Sequence, residues 1–238
     1  MPTGALILIP TPLGELAPLE TIPEAARRAL GEVDLLLVEN ERAARRYLAR
    51  AGIGRGLDGV EFHELSEHTR PEELEPFVAA MVGGRRVGVV SEAGCPGIAD
   101  PGAQLARLCH DRGIRVIALP GPSSVILAVM ASGLGGQSFA FHGYLPVKPE
   151  LRVRRIRELE RQARERGQTQ VVMETPYRNE RLFADLLAAC DGATLLCVAC
   201  DLTTASEYVG TRRVADWKAA PAPVLRKRPA LFLLGGQP

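Results

Sequence analysis

The stretch RVGVVSEAGCPGIADPGAQLARLCHDRG, Arg86 to Gly113, decides the fold class. It opens on a short apolar run, Arg86 to Val90, of strand length. Such a run is apolar on both faces, as strands of a covered parallel sheet are. A loop rich in Gly, Pro and Ala follows, Ser91 to Gly102, and then a helix from Gly102 to Arg112 stopped by Gly113. Strand, loop and helix in that order make half of a βαβ unit.

The same grammar repeats on either side. Upstream, Leu6 to Ile9 reads as a buried strand ended by Pro10-Thr-Pro-Leu-Gly14. A helix begins at Pro23, where proline and Glu24 suit the first turn, and runs to Leu30. Val33 to Val38 is a second strand, and Glu41 to Ala51 a helix with Gly52 as its cap. Phe62 sits on a short strand, and Pro71 to Val82 is a helix. Downstream, the strand Arg115 to Leu119 leads into Pro120-Gly-Pro-Ser-Ser124 and a helix from Ser123 to Ser132. After Gln137 the pattern changes. Phe139 to Tyr144, Thr169 to Glu174, Thr194 to Cys200, Glu207 to Thr211 and Ala230 to Leu234 read as strands, with helices at Lys148 to Arg166 and Glu180 to Ala189. The expected fold class is α/β, in two α/β domains. Residues 1–135 form a mostly parallel sheet with helices on both faces, and residues 136–238 form a mixed sheet.

Bulk properties narrow the function. The 238 residues are 46% hydrophobic and 24% charged, with a formal net charge of +1, so any nucleic-acid contact must come from a local patch. At 5% aromatic residues the chain offers no stacking platform for single strands. No run approaches the ~20 apolar residues of a membrane span, and the apolar run Ala5 to Ile9 lacks the flanks of a signal peptide, so no membrane and a cytoplasmic location are expected. Five cysteines suggest free thiols. Cys197-Val-Ala-Cys200 has the CxxC spacing, but on a strand residues three apart face opposite sides, and no metal site is expected.

In open α/β sheets ligands bind beyond the carboxyl ends of the strands. Three loops leave strands there: Pro10 to Gly14, Ser91 to Gly102 and Pro120 to Ser124. Their small residues allow close main-chain approach to a ligand, and their prolines fix the loop shape beforehand. No Walker A pattern and no G-x-G-x-x-G follows the first strand, which disfavours nucleoside-triphosphate and dinucleotide chemistry. Residue patterns alone reach an α/β enzyme with a cleft for a small ligand.

At these loops the chain resembles the tetrapyrrole methylase superfamily, and within it the branch of small-subunit ribosomal RNA 2′-O-ribose methylases. The similar segments are Ile9-Pro-Thr-Pro-Leu-Gly14, Val38-Glu-Asn-Glu-Arg42, Ser91 to Gly102, Pro120 to Ser124, Phe141-His-Gly-Tyr-Leu-Pro146, Glu174-Thr-Pro-Tyr-Arg178 and Arg228-Pro-Ala230. The resemblance implies S-adenosyl-L-methionine in a cleft between the two domains, held largely by main-chain atoms, and a homodimer. Carried onto this chain, the cofactor contacts are Pro10, Gly94, Cys95, Gly97, Ile98, Ser123 and Ser124, with Met173, Ala199 and Ala230 from the second domain. The chain departs from that branch. The usual Glu-Asp-Thr-Arg is Glu39-Asn40-Glu41-Arg42, Ser-Asp-Ala-Gly is Ser91-Glu92-Ala93-Gly94, and Tyr-Glu-Ser-Pro-His-Arg is Met173-Glu174-Thr175-Pro176-Tyr177-Arg178. The sequence also ends soon after Leu234, where many of those RNA methylases continue into a small C-terminal domain.

A ribose hydroxyl is a weak nucleophile and profits from a base. The candidates are Glu39, at the ligand-binding end of a strand, Glu92 in the cofactor loop, and His142. Asp100 lies in the same cofactor loop and is open to the same role, but it precedes Pro101 and a helix, which suits an N-cap. The resemblance turns Glu174 and Arg178, which flank a proline turn, toward the cleft; the plainer alternative is a salt bridge that holds the turn, and Asp201 and Glu207 are possible orienting groups. From Lys148 to Arg166 the basic residues are Lys148, Arg152, Arg154, Arg155, Arg157, Arg161, Arg164 and Arg166, against Glu150, Glu158, Glu160 and Glu165. That helix is the expected contact for an RNA partner. The open alternatives to an RNA methyltransferase are methylation of a tetrapyrrole or other small molecule, and a non-catalytic binding protein.

Overall fold

The computed structural model describes residues 4–14, 19–51 and 60–235. The chain divides into two units, Met1–Ser123 and Ser124–Pro238.

In the first unit the strands are β1 (Ala5–Ile9), β2 (Leu35–Val38), β3 (Glu61–Glu64), β4 (Arg86–Val90) and β5 (Arg115–Ala118). They lie in the order β3-β2-β4-β1-β5 and every neighbouring pair is parallel. Helices α1 (Glu24–Leu30), α2 (Glu41–Arg50), α3 (Pro71–Val82) and α4 (Ala103–Asp111) connect them. Alternate side chains of each strand face opposite ways. Leu6, Leu35, Leu37, Val87 and Val89 pack with Leu74, Val78 and Met81 of α3 and Leu105 and Cys109 of α4. Ile7, Ile9, Leu36, Val38 and Val90 pack with Ala29 and Leu30 of α1 and Ala44, Tyr47 and Leu48 of α2. Helices cover both faces, as the continuous apolar runs require.

The strand order fixes where a ligand can bind. From β1 the chain passes β4 to reach β2, and from β4 it passes β1 in the opposite direction to reach β5. The carboxyl ends of β1 and β4 are therefore the switch point at which open α/β sheets form their crevice. Ile9 pairs with Val90 and Val90 with Val38, so Pro10, Glu39 and Ser91 leave the sheet in one row.

The second unit begins with α5 (Ser124–Ser132), followed by β6 (Phe139–Tyr144), α6 (Pro149–Arg166), β7 (Thr169–Glu174), α7 (Asn179–Ala189), β8 (Leu195–Cys200), β9 (Tyr208–Arg213), α8 (Val214–Ala219) and β10 (Ala230–Gly235). The sheet order is β6-β7-β10-β8-β9. β6 and β7 are parallel and the remaining pairs antiparallel, the mixed sheet that was expected. On one face Ile156 and Leu159 of α6, Leu182, Phe183 and Leu186 of α7, and Trp217 of α8 pack on Val172, Leu196, Val198, Cys200 and Phe232. Trp217 donates its indole N–H to the Leu196 carbonyl at 2.8 Å and meets Phe183 edge-on.

Helix α5 packs against β8, β9 and β10, and Thr211 donates its hydroxyl to the Ser132 carbonyl at 2.7 Å. The division therefore falls at Ser123/Ser124 and not at the expected 135/136, because α5 belongs to the second core. The short helix α8 was not expected from the sequence. Gly52, expected to cap α2, lies outside the described residues, and Ala51 is the last position seen there. Cys200 points into the core with Leu196 and Val198, so Cys197 faces the other side of the sheet. No helix among the described residues is long and apolar enough to cross a membrane.

Candidate active site

The three loops at the carboxyl edge of the first sheet are built as one unit. Thr11, itself buried, exchanges main-chain hydrogen bonds with Gly94 in both directions, at 2.9 and 3.2 Å, and donates its hydroxyl to the Ser91 carbonyl at 3.2 Å. Cys95 donates its thiol to the Pro122 carbonyl at 3.3 Å, which joins the second loop to the third. The first and third meet where Gly121 lies against Pro10. A Cβ at Gly121 would fall 2.2 Å from that of Pro10, so only glycine permits the contact. Gly94 and Gly97 both take φ of +81°, and Gly102 takes +129°, conformations that side-chain-bearing residues rarely adopt. Gly94 is buried, Cys95 and Gly97 are half-buried, and Ile98 is exposed.

Carboxyl groups gather at the same edge. Glu39 follows β2 directly, and its carboxylate accepts the Glu92 main-chain N–H at 3.1 Å. Burial raises the Glu39 carboxyl, and the Glu92 charge adds to the rise against that hydrogen bond. Asp100 is pushed up to about 7, first by burial, then by the charges of Glu39 and Glu92, against a hydrogen bond from the Ser91 side chain. A narrow cleft beside them is lined by Thr11, Val38, Glu39, Tyr47, Ser91 and Glu92.

The sequence expectation for Asp100 needs correction. Gly102 is the N-cap of α4 and no side chain caps that helix. Asp100 instead joins the two glutamates, which only the strand order β2-β4-β1 could reveal. Glu39 does not cap α2 either: Asn40 does, accepting the Ala43 N–H at 3.0 Å.

His142 lies in the second unit, on β6. Its Nε2 meets the Gln170 side-chain oxygen at 2.7 Å and its Nδ1 meets the Arg155 guanidinium at 3.2 Å. Gln170 gives its own amide N–H to the Gln168 carbonyl, so its oxygen accepts and the His142 Nε2 carries the proton. Both ring nitrogens are engaged. Glu174 is buried and holds the next turn, accepting from Thr175 N and from the Arg178 guanidinium at 2.6 Å. Asp201 likewise holds Arg228 at 2.7 Å, and Glu207 accepts the Thr203 N–H. Met173 and Ala199 both register with Leu231, in one row across three strands, whereas Ala230 turns its side chain into the core. Ala230 offers a ligand only its main chain.

The donor set suits a cationic ligand rather than an anionic one. The loops Pro10 to Gly14, Ser91 to Gly102 and Pro120 to Ser124 hold no lysine or arginine to meet a phosphate, while three carboxyl groups stand beside them. Among the described residues no group of three or more His, Cys, Asp or Glu side chains is arranged to hold a metal ion.

A family model described as Tetrapyrrole (Corrin/Porphyrin) Methylases matches residues 5–217. Curated relatives named Ribosomal RNA small subunit methyltransferase I include that of Vibrio cholerae, 33% identical over 91% of this chain and 72% of the relative. That of Mesorhizobium japonicum is 35% identical over 91% of this chain and 70% of the relative. Among solved structures, the methyltransferase CobJ superposes with a TM-score of 0.63 at 19% identity, over 98% of this chain and 94% of that one. Uroporphyrin-III C-methyl transferase from Thermus thermophilus, complexed with S-adenyl homocysteine, gives 0.55 at 19% identity over 98% and 97%. These structures share the fold. Joined loops at a switch point, a mixed second sheet and a match over almost the whole length agree: the chain belongs to the tetrapyrrole (corrin/porphyrin) methylase family.

Proposed function

We propose that this protein transfers a methyl group from S-adenosyl-L-methionine to a ribose 2′-hydroxyl of small-subunit ribosomal RNA, acting as a homodimer in the cytoplasm. The observation that carries the reading is the crevice itself, where three joined, cation-free loops stand beside Glu39, Glu92 and Asp100. The names of the relatives supply the substrate class.

When bound, S-adenosyl-L-methionine supplies an electrophilic methyl group on a sulfonium. Pro10, Gly94, Cys95, Gly97, Ile98 and Ser123, with Ser124, Met173, Ala199 and Ala230, would hold it, mostly through main-chain atoms. The carboxylates favour its positive charge over any anionic competitor. The acceptor oxygen gains the methyl group and must lose its proton. Asp100, at about 7, is both a base and a proton holder near neutral pH, which matches the requirement of general-base catalysis worth roughly 10²–10⁴-fold. Glu39 and Glu92 act on it by charge, keeping its proton affinity high.

Titration calorimetry with S-adenosylhomocysteine tests the cofactor, and transfer of a labelled methyl group to purified small-subunit RNA tests the acceptor. Saturable binding and RNA labelling are expected. Labelling of uroporphyrinogen but not of RNA would move the protein to small-molecule chemistry, and binding without transfer to either would make it a non-catalytic binder.

A further inference from the structure

Helix α6 carries its charge in an ordered way. Its buried face is Arg152, Ile156, Leu159 and Ala163, at helical spacing. Arg152 is part of the core structure: its guanidinium meets Asp185 at 2.6 Å and donates to the Pro146 and Val147 carbonyls. Arg155 is committed to His142 and to Glu158, the latter at 2.7 Å. Glu160 accepts from Asp191 N and from the Thr194 hydroxyl. Five arginines remain exposed, Arg154, Arg157, Arg161, Arg164 and Arg166, and the first four are spaced three, four and three residues apart. That spacing puts them on one face, turned away from the core. Among the acids beside this row, Glu158 is already paired with Arg155 and held below the usual carboxylate range by Arg155, Arg161 and Arg154 together, while exposed Glu150 and Glu165 stand one turn from Arg154 and Arg161 and offset part of the charge.

We infer that Arg154, Arg157, Arg161 and Arg164 are the strip on which the phosphate backbone of the RNA substrate lies. This rests on the RNA reading above and narrows it from a basic helix to one face. At ~1.5 Å rise per residue the row is ~15 Å long. A strand rising ~3.4 Å per nucleotide places four or five phosphates along it. All four residues are arginine, whose planar fork matches phosphate better than a lysine point charge does. An anionic membrane surface fits less well, because the apolar face that would enter the lipid is already buried.

The test compares the full-length wild-type chain with R154Q/R157Q/R161Q/R164Q. A second quadruple variant, K148Q/R166Q/R213Q/K218Q, removes the same charge from exposed positions off the strip. The probe is a fluorescently labelled, mixed-sequence 30-nucleotide RNA, followed by anisotropy across a salt series. Circular dichroism and S-adenosylhomocysteine binding verify folding. The strip variant is expected to bind about 10²-fold more weakly at 0.1 M salt, with a salt slope shallower by about 3, while the off-strip variant changes severalfold. Equal losses in both variants, or none in the strip variant, would overturn the assignment even if the wild type methylates RNA. Competition by polyglutamate as effective as by RNA would overturn it in favour of an acidic protein partner. A wild-type chain that neither binds nor methylates RNA would remove the RNA reading itself.

Discussion

Replacing Asp100 by asparagine is expected to stabilise the protein, and only above the acid range. The folded carboxyl sits at about 7 against an ordinary value of 3.8. Between those values the folded state keeps a proton that the unfolded chain has released. Stability from this group is therefore full below pH ~4 and is lost as pH rises toward 7. The shift of about 3 units corresponds to at most ~4 kcal/mol at ~1.36 kcal/mol per unit. Asp100 is only half-buried, so solvent screening reduces this to roughly 2 kcal/mol. The amide keeps an oxygen for the Ser91 hydrogen bond and carries no charge to meet Glu39 and Glu92. Urea unfolding of both chains at pH 4.5 and pH 8 is the assay, followed by circular dichroism, because the single tryptophan, Trp217, lies in the second unit and does not report on the first. D100N should exceed wild type by ~2 kcal/mol at pH 8 and by much less at pH 4.5. A variant no more stable at pH 8, or one whose advantage is undiminished at pH 4.5, refutes the charge cluster. The same variant should lose the limb of the pH–rate profile that titrates near 7.

Gly121→Ala places a Cβ against Pro10 and is expected to cost about 1–3 kcal/mol and to weaken S-adenosylhomocysteine binding; an unchanged urea midpoint and affinity would contradict the joined loops. Arg152→Met leaves Asp185 without its main partner and should cost about 3 kcal/mol, read from Trp217 fluorescence, whereas Arg157→Gln on the outer face should stay within ~0.5 kcal/mol. His142→Asn should leave kcat within a few-fold, because both ring nitrogens are already bonded; a loss of ~10² or more would restore His142 as a base.

Strands were legible both where they are buried, as in β4 and β7, and at the half-exposed sheet edge, as in β6. Arg86–Val90, Phe139–Tyr144 and Thr169–Glu174 have the bounds read from the sequence, because Gly, Pro or charged residues end each apolar run. Helix α8 was missed because six residues cannot show a helical period, and its one strong signal, Trp217, is a tertiary contact. The boundary was misplaced because Gly133 ends α5 in the sequence, while the packing that assigns α5 to the second unit is long-range. The site was half legible. Loops and the two glutamates could be placed at strand ends, but strand order is not written locally, so the meeting of Asp100 with Glu39, and of His142 with Gln170 and Arg155, came only from the structure.

The most direct measurement is nucleoside analysis of small-subunit ribosomal RNA labelled by this protein with S-adenosyl-L-[methyl-³H]methionine. The expected result is radioactivity in a 2′-O-methylated nucleoside, in a dinucleotide that resists alkaline cleavage, and its loss with Asp100→Asn near neutral pH. Label confined to a base, or absent from RNA, would contradict ribose methylation by this crevice.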